Sequence, residues 1–123
     1  MNYCLMTQSS HRTLTDDFIR TLTSRWPTAS LKNISDPRDN HAVEFQIPTN
    51  GATIDGALNR EGSGVIYHGE LRDCAQFALW YQTAFHEGQP YLMFDEGYNR
   101  HIALRPDTTV EDIVRALTDP PYD

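Results

Sequence analysis

Residues 70–98, ELRDCAQFALWYQTAFHEGQPYLMFDEGY, combine a strongly apolar helix pattern with a strand that follows it directly. Apolar side chains recur there at spacings of three and four residues, as on the buried stripe of a helix: Leu71, Cys74, Phe77, Ala78, Tyr81, Ala84 and Phe85. Gly88 and Pro90 end the pattern, because glycine terminates helices and proline cannot continue one. The apolar run after the proline predicts a buried strand. The stretch therefore predicts a helix and a strand that share one core.

Further strands are predicted on both sides of this stretch. Val43, Phe45 and Ile47 alternate with polar residues, as in a half-buried strand. Asn50 and Gly51 then supply a hairpin turn. The other predicted strands cover residues 2–8, 29–35, 54–58, 65–68 and 101–105. Short turns between several of these strands favour an antiparallel meander.

Two more helices are predicted, one near each end of the chain. Leu14, Phe18 and Leu22 recur every four residues, which predicts an amphipathic helix that Pro27 ends, with Thr13 or Thr15 as its N-cap. The last helix follows residue 109. Its start matches a capping box in two registers, Thr108 with Glu111 or Thr109 with Asp112.

The element order is therefore β-α-(β)-β-β-β-α-β-β-α, where the bracketed strand has the least regular pattern. This order predicts an α+β fold, with three helices and a central antiparallel sheet of about six strands. We expect the helices to lie on one face of the sheet. The 123 residues contain no linker-like segment and suffice for a hydrophobic core, so residues 1–123 are predicted to form a single domain.

The formal net charge of the chain is −7, and most of it belongs to the second half. The net charge is −1 through Glu61 and −6 from Gly62 onward. Such a field repels nucleic acid and anionic membranes and attracts basic partners, although acidity also serves solubility alone. The N-terminus resembles a strand and not a signal peptide, and every apolar run is shorter than the roughly 20 residues of a membrane span. We expect a cytoplasmic protein with no nucleic-acid or membrane partner.

Motifs of catalysis and metal binding are missing from the sequence. The five histidines do not show the spacing of zinc ligands, and no G-x-S-x-G segment is present. Cys4 and Cys74 are expected to be unpaired thiols, and Cys74 to be buried and inert. Asp95 and Glu96 are adjacent, so a regular strand would point them to opposite faces. We therefore predict no enzyme activity, no catalytic residue, no metal and no cofactor.

The segments TLTDDFIRTLTSRWP, LRDCAQFALWYQTAF and QPYLMFDEGYNRHIALRPDTTVEDIVRAL resemble a widespread group of small bacterial proteins. That group is associated with the immunity proteins of polymorphic-toxin and contact-dependent inhibition systems. The resemblance extends over most of the chain and involves structural residues. It implies a cytosolic inhibitor that binds and neutralises a cognate toxin domain, often a nuclease.

An acidic surface suits such a partner, because a nuclease is basic where it holds phosphate groups. Exposed aromatic residues beside carboxylates are typical anchors of protein interfaces, and Trp80 and Tyr98 are expected to be exposed. The predicted toxin-binding residues come from the acidic half of the chain: Glu87, Asp95, Glu96, Tyr98, Asp107, Glu111 and Asp112.

Two other functions fit the same sequence. A small-molecule-binding or enzymatic domain would use a pocket between the sheet and the helices, with His68, Asp95 or Glu96 as polar groups. A homodimeric adaptor module would associate through an exposed strand or an aromatic patch.

Overall fold

A computed structural model describes residues 2–85 and 90–118. The elements are β1 (Asn2–Thr7), α1 (Thr15–Arg25), β2 (Ser30–Asn33), β3 (His41–Thr49), β4 (Ala52–Asn59), β5 (Gly64–His68), α2 (Leu71–Ala84), β6 (Tyr91–Asp95), β7 (His101–Leu104) and α3 (Val110–Thr118). The α+β class and the element order confirm the sequence prediction. The sheet has seven strands, because the irregular segment near residue 30 does form a strand. The predicted helix stop at Gly88 lies outside the described residues.

The seven strands form one antiparallel sheet in the order β2-β3-β4-β5-β1-β6-β7. The N-terminal strand β1 pairs with β5 on one side and with β6 on the other. It therefore joins the meander of β2 to β5 to the hairpin of β6 and β7. Helix α2 connects β5 to β6 and so passes from one neighbour of β1 to the other.

The core lies between one face of this sheet and the helices. Phe77 of α2 is fully buried, and its ring centroid is 5.4 Å from that of Phe45 on β3 and 4.9 Å from that of Tyr67 on β5. Phe18 of α1 reaches the same Phe45, with centroids 5.6 Å apart. Helix α3 contacts α2 and β7, and it buries Ile113. The helices thus form one layer over the sheet, as predicted.

Trp80 belongs to this core region and is not the exposed residue that the sequence suggested. Its ring lies 4.7 Å from Trp26, 5.5 Å from Phe77 and 5.7 Å from Phe85 between centroids. The expectation was wrong because α1 covers the flank of α2 that carries Trp80. In the described ranges, no helix combines the length and apolar character needed to cross a membrane.

Local hydrogen bonds decide where two helices begin. Thr109 and Asp112 form a reciprocal capping box at α3, with bonds of 3.0 and 3.1 Å. These bonds lower the pKa of the Asp112 carboxyl. Thr108 instead accepts a bond from the Arg105 backbone. At α1 the N-cap is Leu14, and neither threonine caps the helix, because the Thr13 hydroxyl is buried against the Tyr81 hydroxyl at 2.7 Å.

Arg60, which follows β4, binds the loop between β2 and β3. Its guanidinium donates to the backbone oxygens of Ile34, Asp36 and His41 at 2.8 Å each, and to that of Asp39 at 3.2 Å. The planar guanidinium presents several donors in a fixed geometry, which an ammonium group cannot reproduce. One side chain therefore orders a loop that has few apolar residues.

We expect Arg60→Ala to lower the free energy of unfolding by about 1 to 2 kcal/mol, because several charge-assisted hydrogen bonds are lost. Amide hydrogen exchange should rise in residues 34–41. Arg38→Ala is the matched control: Arg38 is 89% exposed and bonds Asp36 in the same loop. Denaturant titration and exchange mass spectrometry measure both effects. Equal destabilisation by the two variants would contradict the role of Arg60.

Both cysteines are free thiols, as predicted, but their environments differ. Cys74 is fully buried, and burial raises its pKa to about 12. Cys4 is partly accessible on the other side of the sheet.

We expect a thiol reagent at pH 8 to modify Cys4 before Cys74, because Cys4 has the larger thiolate fraction and is more accessible. A Cys4→Ser variant should therefore react only as fast as it unfolds. Rapid labelling of that variant under native conditions would show that Cys74 is accessible.

Candidate interaction surface on the open sheet face

The face of the sheet opposite the helices carries a row of apolar side chains. Across β4, β5, β1 and β6, the register pairs Ala57 with Ile66, Ile66 with Cys4 and Cys4 with Phe94. The next row outward adds residues of β1, β6 and β7. We call the combined set the open-face band, and its members are Cys4, Met6, Ala57, Ile66, Leu92, Phe94 and Ala103.

No helix of the described part of the chain covers this band. Ile66 is 36% exposed, and Met6, Leu92 and Phe94 are only half-buried. An antiparallel sheet with one solvated face usually places polar residues there. Contiguous exposed apolar surface instead marks a site for another macromolecule or for a ligand. The open-face band is therefore the first candidate for a functional surface.

A polar row borders the band. Asp55, His68 and Asn2 lie side by side across β4, β5 and β1. Gln46 donates to the Asp55 carboxylate at 2.8 Å, and the His68 Nε2 atom lies 3.6 Å from the same carboxylate. Apolar centres with polar rims are the usual composition of protein interfaces.

A depression of about 390 Å³ lies between the band and this polar row. It forms where Ala57 stands between two longer side chains, those of Glu44 and Ile66. The lining consists of Asn2, His41, Glu44, Phe45, Asp55, Gly56, Ala57, Ile66, Tyr67 and His68. The ionisable groups on its rim are well solvated, and His68 is 55% exposed. Within residues 2–85 and 90–118, no three histidine, cysteine or acidic side chains are placed to hold a metal ion.

His68 does not lie where the sequence suggested. It was expected, with Asp95 or Glu96, to line a pocket between the sheet and the helices. His68 instead lies on the opposite face, next to Asn2 and Asp55, and neither Asp95 nor Glu96 lines the depression. Aromatic rings such as Phe77 occupy the space between the layers.

Asp95 does not contribute to an exposed acidic surface, so this expectation was wrong. It is only 2% exposed, and its carboxylate accepts backbone hydrogen bonds from Asn99 at 2.8 Å and Arg100 at 3.3 Å. The Arg100 guanidinium also approaches the carboxylate, at 4.0 Å. A carboxylate at the start of a tight turn satisfies backbone donors that would otherwise be unpaired. Asp95 therefore shapes the β6–β7 turn.

Glu96 and Tyr98 in the same turn do lie at the surface, as expected. Tyr98 is 53% exposed, and its ring centroid is 4.7 Å from Phe94 and 5.5 Å from His101. Burial raises the pKa of the Cys4 thiol, and the negative charge of Glu96 adds to the rise. The Glu96 amide also donates to the Asn2 carbonyl at 3.0 Å, which places Glu96 beside the start of β1. The turn extends the open-face band at the end where β6 meets β7.

Three other predicted acidic residues lie in α3 or in the segment that precedes it. Asp107 follows the opposite end of β7, Asp112 caps α3, and Glu111 bonds both terminal nitrogens of Arg72 at 2.5 and 2.9 Å. Glu87 lies outside the described residues. Among the predicted binding residues that the structure describes, Glu96 and Tyr98 adjoin the open-face band and the others do not.

Sequence reasoning missed the members of the band itself. A signal was present in β1, where Tyr3 and Leu5 alternate with Cys4 and Met6, so that both faces are apolar. Such a strand is normally covered on both faces. The described helices cover only one face, which leaves Cys4 and Met6 half-buried on the other.

Comparison of the chain with protein families, with curated proteins and with solved structures found no match. The function of the open-face band and of the polar row beside it therefore has to be inferred from their own geometry and chemistry.

Proposed function

We propose that this chain is an inhibitor that binds a basic protein domain through its open sheet face. In biological terms we propose a cytoplasmic immunity protein that neutralises a cognate bacterial toxin, such as a basic nuclease domain. The observation that carries the proposal is the uncovered open-face band with carboxylates on its border, in a chain of net charge −7.

Apolar contact would supply most of the affinity. Phe94, Ile66 and Tyr98 are large side chains near the middle and one end of the band, and large apolar or aromatic anchors dominate interface energies. Burying apolar surface contributes about 25 cal/mol per Å² before the losses of association are subtracted. The polar row at Asp55 and His68 would form the hydrated rim.

Charge would mainly supply speed and selectivity. A surplus of carboxylates attracts a cationic surface from a distance and can raise association rates by roughly 10- to 1000-fold at low salt. It also disfavours nucleic acid, which competes for the same basic surface of a nuclease. An acidic inhibitor thus presents a charge of the same sign as the substrate that it displaces.

Small-molecule binding is the second candidate, and the depression above Ala57 favours it. Its volume of about 390 Å³ suits a small ligand. Its rim, however, is open and solvated, and such sites hold small ligands less well than enclosed pockets do. Self-association through the open-face band is a third possibility. It would bring the carboxylates that border the band in two copies close together, and like charges repel.

The first test replaces a residue in the middle of the band. We expect Ile66→Arg to weaken the complex with the toxin-domain product of the neighbouring gene by about tenfold or more, because an apolar contact is replaced by a repelling charge. Leu14→Arg is the matched control: Leu14 is 66% exposed on the helical layer and undergoes the same change of charge. Calorimetry measures both affinities. Equal effects of the two variants, or a stable homodimer with no complex by light scattering, would overturn the proposal.

The second test concerns steering by charge. Between about 50 and about 500 mM salt, we expect the association rate to fall steeply and the dissociation rate to change little, because screening acts on the approach of separated charges. Stopped-flow fluorescence of the aromatic residues follows both rates. A tight complex whose association rate ignores salt would remove the electrostatic part of the proposal and leave the apolar part.

A further inference from the structure

Tyr98 has an unusual backbone conformation for its residue type. Its φ angle is +55°, and among the described residues it is the only non-glycine residue with a positive φ. This left-handed region is unfavourable for bulky L-residues, whereas glycine and asparagine tolerate it. Gly97 and Asn99 stand on either side of Tyr98. A large aromatic residue thus has the left-handed backbone conformation, which the residue types on either side of it would adopt with less strain.

The surrounding turn holds this conformation through backbone hydrogen bonds. The Tyr98 amide donates to the Asp95 carbonyl at 2.9 Å, and the Asp95 amide donates to the Arg100 carbonyl at 3.1 Å. The buried Asp95 carboxylate accepts from the amides of Asn99 and Arg100. The Glu96 amide donates to the Asn2 carbonyl at 3.0 Å, which ties the turn to β1. The position of Tyr98 is therefore set before any partner arrives.

The strain does not serve burial of the Tyr98 ring. The residue is 53% exposed, although its ring touches Phe94 and His101. Strained residues that persist at a surface are concentrated at binding and catalytic sites. An aromatic ring that is held rigidly and stays exposed is suited to binding, because little side-chain entropy is lost on contact.

We propose that the β6–β7 turn binds the guanidinium group of an arginine side chain, stacked on the exposed Tyr98 ring. A planar guanidinium stacks on aromatic faces and also pairs with carboxylates. Glu96 in the same turn supplies the carboxylate, and the Arg100 guanidinium lies 4.0 Å from the buried Asp95 carboxylate, whose negative charge offsets it. The source of the arginine, a basic partner protein, rests on the function proposed above.

The site is tested first without any partner, with acetyl-arginine-amide as the probe. Titration followed by amide NMR should give saturable shifts in residues 96–101 of the wild-type protein. The shifts should persist in Tyr98→Phe and disappear in Tyr98→Gly. Acetyl-lysine-amide, which has the same charge but no planar group, should bind more weakly. Shifts that persist in Tyr98→Gly, or that are equal for the two probes, would overturn the proposal.

Thermal stability separates a binding role of Tyr98 from a structural one. Because glycine relieves the left-handed strain, the melting temperature of Tyr98→Gly should equal or exceed that of the wild type. A melting temperature several degrees lower would show that the ring is retained for folding, and it would overturn the proposal.

The toxin-domain complex distinguishes this inference from the proposed function. Tyr98→Gly should weaken that complex by about tenfold, as removal of an interface anchor does. If Ile66→Arg disrupts the complex and Tyr98→Gly does not, the arginine site is wrong and the proposed function stands. If acetyl-arginine-amide binds at the turn and no complex forms, the proposed function is wrong and the arginine site stands.

Discussion

The contact of Phe77 with both layers is the interaction on which the rest of the structure depends. Its ring contacts Phe45 and Tyr67 of the sheet, and Trp26, the C-cap residue directly after α1, stacks on it with centroids 5.9 Å apart. A single fully buried ring thus links the meander, the central strands and two helices. Because α1 and α2 share this contact, both helices lie on the same face of the sheet. Within residues 2–85 and 90–118, no helix lies over the opposite face.

The position of β1 determines what the uncovered face contains. As the central strand between β5 and β6, it sets Cys4 and Met6 between Ile66 and Phe94 on the open side. A sheet face of this kind is a liability for aggregation unless it is occupied. Cys4, Met6, Ile66 and Phe94 do not belong to the described hydrophobic core, which lies on the other face of the sheet.

The carboxylates of the acidic half have distinct roles that their charge does not reveal. Asp95 organises a turn, Asp112 caps a helix, and Glu111 pairs with Arg72 across two helices. Hydrogen bonding lowers the pKa of the Glu111 and Asp112 carboxyls, which keeps both charged over the ordinary pH range. Glu96 is different, because it lies at the surface beside the open-face band. Carboxylates that are clustered in the sequence are therefore not all clustered on one surface of the folded protein.

Periodicities of two and of 3.6 residues report local structure directly, so the order of the elements, the α+β class and the burial of Cys74 could be predicted from the sequence. It also contained the correct capping box at Thr109. The three-dimensional fold was needed to show which face of the sheet the helices cover, where β1 is inserted, and that Asp95 and Trp80 are covered although both were expected at the surface. An alternating pattern distinguishes the two faces of a strand, but it does not show which elements pack against either face. That depends on contacts between residues far apart in the chain, such as Phe77 with Phe45.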